Sequence, residues 1–163
     1  MSGTVILDSS PLGLITKQPG KSPEADACQE WLRHLAAHGW AVYLPEIIDY
    51  EVRRELTRAK KYSSIERLDR LIAQVNYIPI TTAAMRRAAD LWAQARQSGQ
   101  SNADPKALDG DVIMAAQALT LTPAPAGLVV ATSNVVHISR YLPALEWTAI
   151  NAMSDTDVPE AKA

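Results

Sequence analysis

The sequence predicts an α/β fold: a central, mainly parallel sheet of about four to five strands, covered by helices on both faces. Three observations predict it. The runs Val5-Ile6-Leu7 and Leu128-Val129-Val130-Ala131-Thr132 are short, apolar and rich in β-branched residues, as strands buried on both faces are. Stretches with helical apolar spacing separate the strand candidates, as the crossovers of a parallel sheet require. Asp8 and Thr132-Ser133-Asn134 stand at strand carboxyl ends, where open α/β sheets build their sites.

The elements follow in order. Ser9-Ser10-Pro11 starts a short helix through Leu12–Ile15, with Pro11 near its first position and an end near Pro19-Gly20. Ser22-Pro23-Glu24 starts the next. Its apolar face is Cys28, Trp31, Leu32 and Leu35, it runs to about His38, and Gly39 stops it. Trp40–Leu44 is a strand candidate. Pro45 then begins a helix to about Arg58 that carries Glu51 between Ile48 and Val52, on its apolar side. Ser63/Ser64 cap a helix through Ile65, Leu68, Leu71, Ile72 and Val75. Tyr77–Ile80 is a short strand, with Pro79 toward its end or on a sheet edge. Thr81/Thr82 cap a long helix through Met85, Ala88, Leu91 and Trp92 that ends near Gly99. Residues 100–107 lack apolar period and form a loop. A helix runs from Asp109 to about Leu121, and Thr122–Gly127 is a turn. After the strand Leu128–Thr132, Asn134–Tyr141 forms a short helix and Leu145–Ile150 a last, edge strand. One domain thus spans 1–150, and 151–163 is a polar, flexible tail.

Bulk properties exclude several classes. A composition 47% hydrophobic and 21% charged marks a globular chain rather than a disordered one. No apolar run approaches the roughly 18–20 residues that cross a bilayer, and no basic-then-apolar leader opens the chain, so a cytoplasmic protein without membrane contact is expected. The lone Cys28 forms no internal disulfide and reads as inert packing. No glycine-rich phosphate loop argues for nucleotide binding. His34 and His38 have zinc-compatible spacing, but nothing completes such a site. The net charge of −2 gives no overall bias toward nucleic acid. Locally, Arg53–Arg70 holds seven Lys/Arg against three acids. Of these, Arg53, Arg54, Arg58, Lys60 and Lys61 are candidates to contact nucleic-acid phosphates, although such a stripe is also the ordinary look of a solvated helix face.

The chemistry concentrates in Asp8, Glu51, Asp109 and Asp111. Carboxylates set against apolar residues are costly unless something cationic pairs with them, and converging carboxylates with few bases nearby suit a hard divalent cation. Each also has a plainer reading. Asp8 and Asp109 fit helix caps, Asp111 complements a helix dipole, and Glu51 is spaced to pair with Arg54 on a solvated face.

Four local matches, in order over about residues 4–142, make the chain resemble the PIN-domain ribonucleases, and among them the VapC-like toxins of type II toxin–antitoxin pairs. They are a first strand ending in Asp8-Ser9-Ser10; Pro45 followed six residues later by Glu51; Asp111 opening the Ala-rich helix Val112–Leu119; and an apolar strand closing on Thr132-Ser133-Asn134. The resemblance implies a three-layer α/β/α fold and an Mg²⁺- or Mn²⁺-dependent endoribonuclease, inhibited by a cognate antitoxin and forming a homodimer. It implies Asp8, Glu51 and Asp111 as catalytic metal-binding acids. Asp109 lies beside them, to add charge or bind through water. Where such toxins often carry a further aspartate, this chain has Asn134 and His137. Asn134 is a neutral oxygen ligand or a partner for Asp8, Thr132 orients Asp8 or water, and His137 is a positioning residue or a structural one. Two other readings stay open: a non-catalytic PIN-like binding module with a degenerate metal site, and another carboxylate-metal phosphoesterase.

Overall fold

The computed structural model describes residues 3–99 and 109–151. Its strands are β1 Thr4–Leu7, β2 Ala41–Pro45, β3 Asn76–Ile78, β4 Leu128–Ala131 and β5 Ala144–Leu145. Its helices are α1 Ser9–Ile15, α2 Pro23–Ala37, α3 Glu46–Arg58, α4 Tyr62–Ile72, α5 Thr82–Gln97, α6 Gly110–Leu119 and α7 Val135–Ile138, and a 3₁₀ turn spans Trp147–Ala149. The expected loop at 100–107 and all of the expected tail beyond Asn151 lie outside the described residues.

All pairings are parallel, in the order β3-β2-β1-β4-β5. The chain builds outward from β1 to β3, then returns to lay β4 on the other side of β1. The carboxyl ends of β1 and β4 therefore meet where the winding reverses, the place where such sheets open a crevice. The register sets Leu7 beside Ala131, so Asp8 and Thr132 leave the sheet side by side.

The core is aliphatic. Val5, Ile6, Leu7, Val129, Val130 and Ala131 are wholly buried, and α6 contributes Val112, Ile113, Met114, Ala115, Ala116 and Ala118. A helix apolar all round belongs inside a protein. Its burial anchors the first turn, which carries Asp109 and Asp111.

Three local expectations need correction. Ser63/Ser64 do not cap α4. The helix starts at Tyr62, its N-cap Lys61 makes no side-chain cap bond, and Ser64 is buried within it. The chain enters α4 straight from a tight α3 end in which Lys60 N–H donates to the Thr57 carbonyl (3.1 Å) and Lys61 N–H to the Leu56 carbonyl (2.9 Å), which leaves no extended residue for a serine cap. Pro11 is the third residue of α1 because Asp8 itself takes the cap; the first turn tolerates proline there. The last strand is Ala144–Leu145 only, although it does lie on the edge. Trp147 turns away to meet Trp31 at 5.7 Å between centroids, and the Trp31 indole N–H donates to the Ile150 carbonyl (3.0 Å). This packing overrides the strand propensity of Trp147-Thr148.

Candidate metal centre

Asp8 follows β1 in an extended conformation and is 5% exposed. Its Oδ1 accepts the Ser9 N–H at 2.8 Å, and its Oδ2 accepts the Thr132 hydroxyl at 2.6 Å. The cap reading of Asp8 therefore holds, together with a second contact across 124 residues of chain. Thr132 Oγ1 in turn accepts the Asn134 N–H at 2.8 Å, which turns its own proton toward Asp8. The Asn134 side-chain amide donates to Asp111 Oδ2 at 3.1 Å. One chain of hydrogen bonds thus runs Asp8–Thr132–Asn134–Asp111. Asn134 binds Asp111, where the sequence suggested Asp8 as its partner.

Asp109 caps α6, its Oδ1 accepting the Val112 N–H at 3.2 Å, so its structural reading also holds. Asp111 stands in the first turn of α6, against the positive end of the helix. Glu51 reaches over from α3, and its carboxylate lies against Gly110, where a Cβ would collide with Oε1. The residue between the two aspartates is therefore a glycine for a steric reason. The resemblance pointed to the aspartates but not to Gly110. Only the packing of α3 on α6 reveals it.

The electrostatics show the acids acting on one another. Burial raises the Glu51 carboxyl above its ordinary range, Asp8, Asp111 and Asp109 raise it further, and Arg54 opposes them. Burial also raises Asp111, followed by Asp8 and Asp109, with His137 and the Asn134 amide opposing. Like charges in partial burial make each ionisation dearer. His137 therefore faces the acidic end of α6. Tyr141 does too: burial, then Asp109 and Asp111, push its phenol up. Nothing in the sequence pattern had singled out Tyr141. Ser10, also missed, accepts the Ser133 N–H at 2.9 Å and ties α1 to the end of β4.

The basic candidates divide. Arg53 donates to Asp49 at 3.0 Å and to Asp69 at 2.7 Å, and Arg58 to Glu55 at 2.8 Å. Arg54 lies over the Tyr50 ring and within electrostatic reach of Glu51. Lys60 and Lys61 line a cleft at the far end of α3.

The donor set of Asp8, Glu51, Asp109, Asp111 and Asn134 is all oxygen and strongly negative, as a hard cation requires. Among the described residues no three acidic, histidine or cysteine side chains converge closely enough to enclose an ion by themselves. An Mg²⁺ or Mn²⁺ ion, which keeps several waters and takes only one or two direct carboxylates, would be held by Asp8 and Asp111, with Glu51 and Asp109 reaching it through water.

By sequence, no protein-family model and no curated protein matches the chain. Solved structures do. A chain of the VapBC2 complex from Rickettsia felis, crystallised with a DNA fragment from the promoter, is 16% identical with a TM-score of 0.63, over 85% of this chain and 92% of that one. A chain of VapBC-1 from nontypeable Haemophilus influenzae is 17% identical with a TM-score of 0.58, over 89% of this chain and 98% of that one. At these identities the likeness is one of fold: the chain has the PIN-like α/β/α architecture that its sequence motifs implied. Among the described residues no helix is long and apolar enough to cross a membrane.

Proposed function

We propose that the chain is a metal-dependent endoribonuclease and the toxin of a toxin–antitoxin pair. The observation that carries this reading is the hydrogen-bonded line Asp8–Thr132–Asn134–Asp111, with Glu51 laid beside it. It lies where the sheet reverses, with acids from the end of β1, from α3 and from α6 near enough that Asp8 and Asp109 raise the pKa of both Glu51 and Asp111, an acidic setting that metal-assisted phosphoryl chemistry can use. A divalent ion bound there supplies an activated water and relief of charge on the leaving oxygen. The chain's own residues do the rest. Two donors hold Asp8 in one rotamer, so its oxygens need no reorganisation. Asn134 does the same for Asp111. Glu51 holds its proton more tightly than a solvated glutamate, which suits a group that orients the attacking water and takes its proton.

The choice of RNA follows from the family resemblance, and so do the homodimer and the antitoxin. The fold likeness to chains of two VapBC complexes supports the antitoxin partner. An arginine of that partner would find a bidentate mate among the carboxylates.

The test is cleavage of a mixed pool of tRNA, rRNA fragments and single-stranded RNA, with a DNA competitor, in Mn²⁺, in Mg²⁺ and in EDTA, beside Asp8→Asn. Cuts that need metal and vanish in Asp8→Asn are expected. Equal cutting by the variant sinks the assignment, and preference for DNA or for a phosphomonoester moves it to another phosphoesterase. A second reading, a non-catalytic PIN-like module, draws on Asn134 standing where a carboxylate is often found. It predicts a fold that Mn²⁺ does not stabilise.

A further inference from the structure

At the opposite end of α1 and α3 from the carboxylates lies a cleft of about 660 Å³, a size that accommodates a ligand rather than a few waters. Lys17 and Lys21 line it from the segment between α1 and α2, and Lys60 and Lys61 from the junction of α3 and α4. No acidic residue lines it, and none of the four lysines forms an ion pair among the described residues. The basic stripe read from the sequence is thereby redistributed. Arg53 and Arg58 are occupied by carboxylates, while two lysines from outside the stripe join Lys60 and Lys61.

Two further features mark the cleft as built for a ligand. Lys60 has φ +55, the left-handed conformation of the residue after a helix end, where glycine is the unstrained choice. A lysine there keeps its ammonium at the cleft despite backbone strain, and strain of this kind concentrates at functional positions. Tyr62 also lines the cleft and is 64% exposed, an aromatic ring left in water beside four cations. Cations with an open aromatic face are the combination that holds single-stranded nucleic acid, phosphates on the lysines and a base on the ring. An acidic peptide would use the lysines and leave the ring idle.

The cleft is also in line with the carboxylates. Asp8 abuts the start of α1 and Gly13 lines the cleft; Glu51 lies on α3 and Leu56 lines the cleft. Each interval is five residues, or about 7.5 Å of helix rise. The two helices pack together and run the same way from the acidic end to the basic one. We infer that a single RNA strand runs over α1 and α3 from the carboxylates to the cleft, its scissile phosphate at Asp8 and Asp111 and flanking phosphates and a base held by Lys17, Lys21, Lys60, Lys61 and Tyr62. This rests on the nuclease reading for its direction, but the binding it requires is measurable without cleavage.

The experiment uses a short fluorescein-labelled oligouridylate, Mg²⁺ and the Asp8→Asn chain, with anisotropy read across a salt series. Lys60→Gln/Lys61→Gln in that background is expected to weaken binding about tenfold and to flatten the log–log salt slope by roughly 1.4, two phosphate contacts at about 0.7 each. Tyr62→Ala is expected to weaken it about fivefold with the slope unchanged, and Tyr62→Phe to restore it. Arg86→Gln/Arg87→Gln, an equal loss of charge on the exposed face of α5, is the control and is expected to change affinity less than twofold. Equal weakening by both double variants, or by neither, overturns the inference. So does lysine-dependent binding of oligoglutamate in place of oligouridylate, which makes the cleft a protein-docking surface. Cleft-dependent RNA binding by a chain that never cuts RNA supports the cleft and overturns the nuclease reading alone.

Discussion

At the scale of single residues, Gly110 separates folding from function. Gly110 is the first residue of α6, directly after the Asp109 cap, where alanine fits the helix backbone at least as well as glycine. A methyl there displaces the Glu51 carboxylate, the mobile end of a flexible side chain, so the fold accommodates it and the site does not. Gly110→Ala is expected to melt within a few degrees of the parent while RNA cleavage falls at least about tenfold, one misplaced group. Equal activity would show that Glu51 need not lie over α6. The carboxylates also carry a pH signature. Glu51 and Asp111 have raised values in the folded chain, so between the unfolded and folded values the native state binds more protons. Stability of the metal-free protein therefore falls as pH rises through that window and stays reduced above it. Glu51→Gln is expected to melt above the parent at pH about 7, with the difference vanishing below pH about 4, where the parent glutamate is itself protonated. A variant less stable than the parent at neutral pH would mean that Glu51 is satisfied by a cation of the chain instead.

At the scale of elements, α3 and α6 are joined by Gln117, a polar residue inside an apolar helix. Pro45 caps α3 without a side-chain bond, so the first-turn N–H groups need partners from elsewhere. Gln117 of α6 supplies one: its Oε1 accepts the Ile47 N–H at 3.3 Å, and its amide donates to the Ile78 carbonyl at 2.7 Å. It is 1% exposed, and it fixes the helix bearing Asp111 against the helix bearing Glu51. Gln117→Leu keeps the volume and strands both backbone groups, a loss of about 1–3 kcal/mol. Urea denaturation checks this, and an unchanged midpoint would mean that water replaces the amide. Asp49, itself buried, works the same way elsewhere on α3, accepting Arg53 and the Tyr77 hydroxyl (2.7 Å), and so ties α3 to β3. The sequence shows Asp49 and Glu51 as similar acids on one helix. Their different rotations about its axis send one into a salt-bridged strut and the other toward Asp8, Asp109 and Asp111.

At the scale of the whole molecule, carboxylates that repel one another oppose the compact state until a cation joins them. Ligand that binds only the folded form stabilises it by mass action, about 2.7 kcal/mol at a hundredfold excess over its dissociation constant. Mn²⁺ is therefore expected to raise the melting temperature of the parent by several degrees and that of Asp8→Asn by much less. An equal rise in both would place the ion elsewhere.

How much was legible follows from range. The two apolar strand runs, the glycine stops at Gly39 and Gly99, and the caps Ser22, Thr81 and Asp109 act within a few residues of themselves, and local sequence specified them. The identities of Asp8, Glu51, Asp109 and Asp111 were legible too, because a carboxylate among apolar neighbours is conspicuous in a string. What only the tertiary structure decided is what depends on elements distant in sequence meeting at fixed register. The pairing of Leu7 with Ala131 brings Thr132 to Asp8, the α3–α6 contact makes Gly110 necessary, and the return of α3 beside α1 gathers Lys17 and Lys21 with Lys60 and Lys61. Hydrogen bonds and charges act over a few ångströms, and only the folded chain brings those groups within that distance.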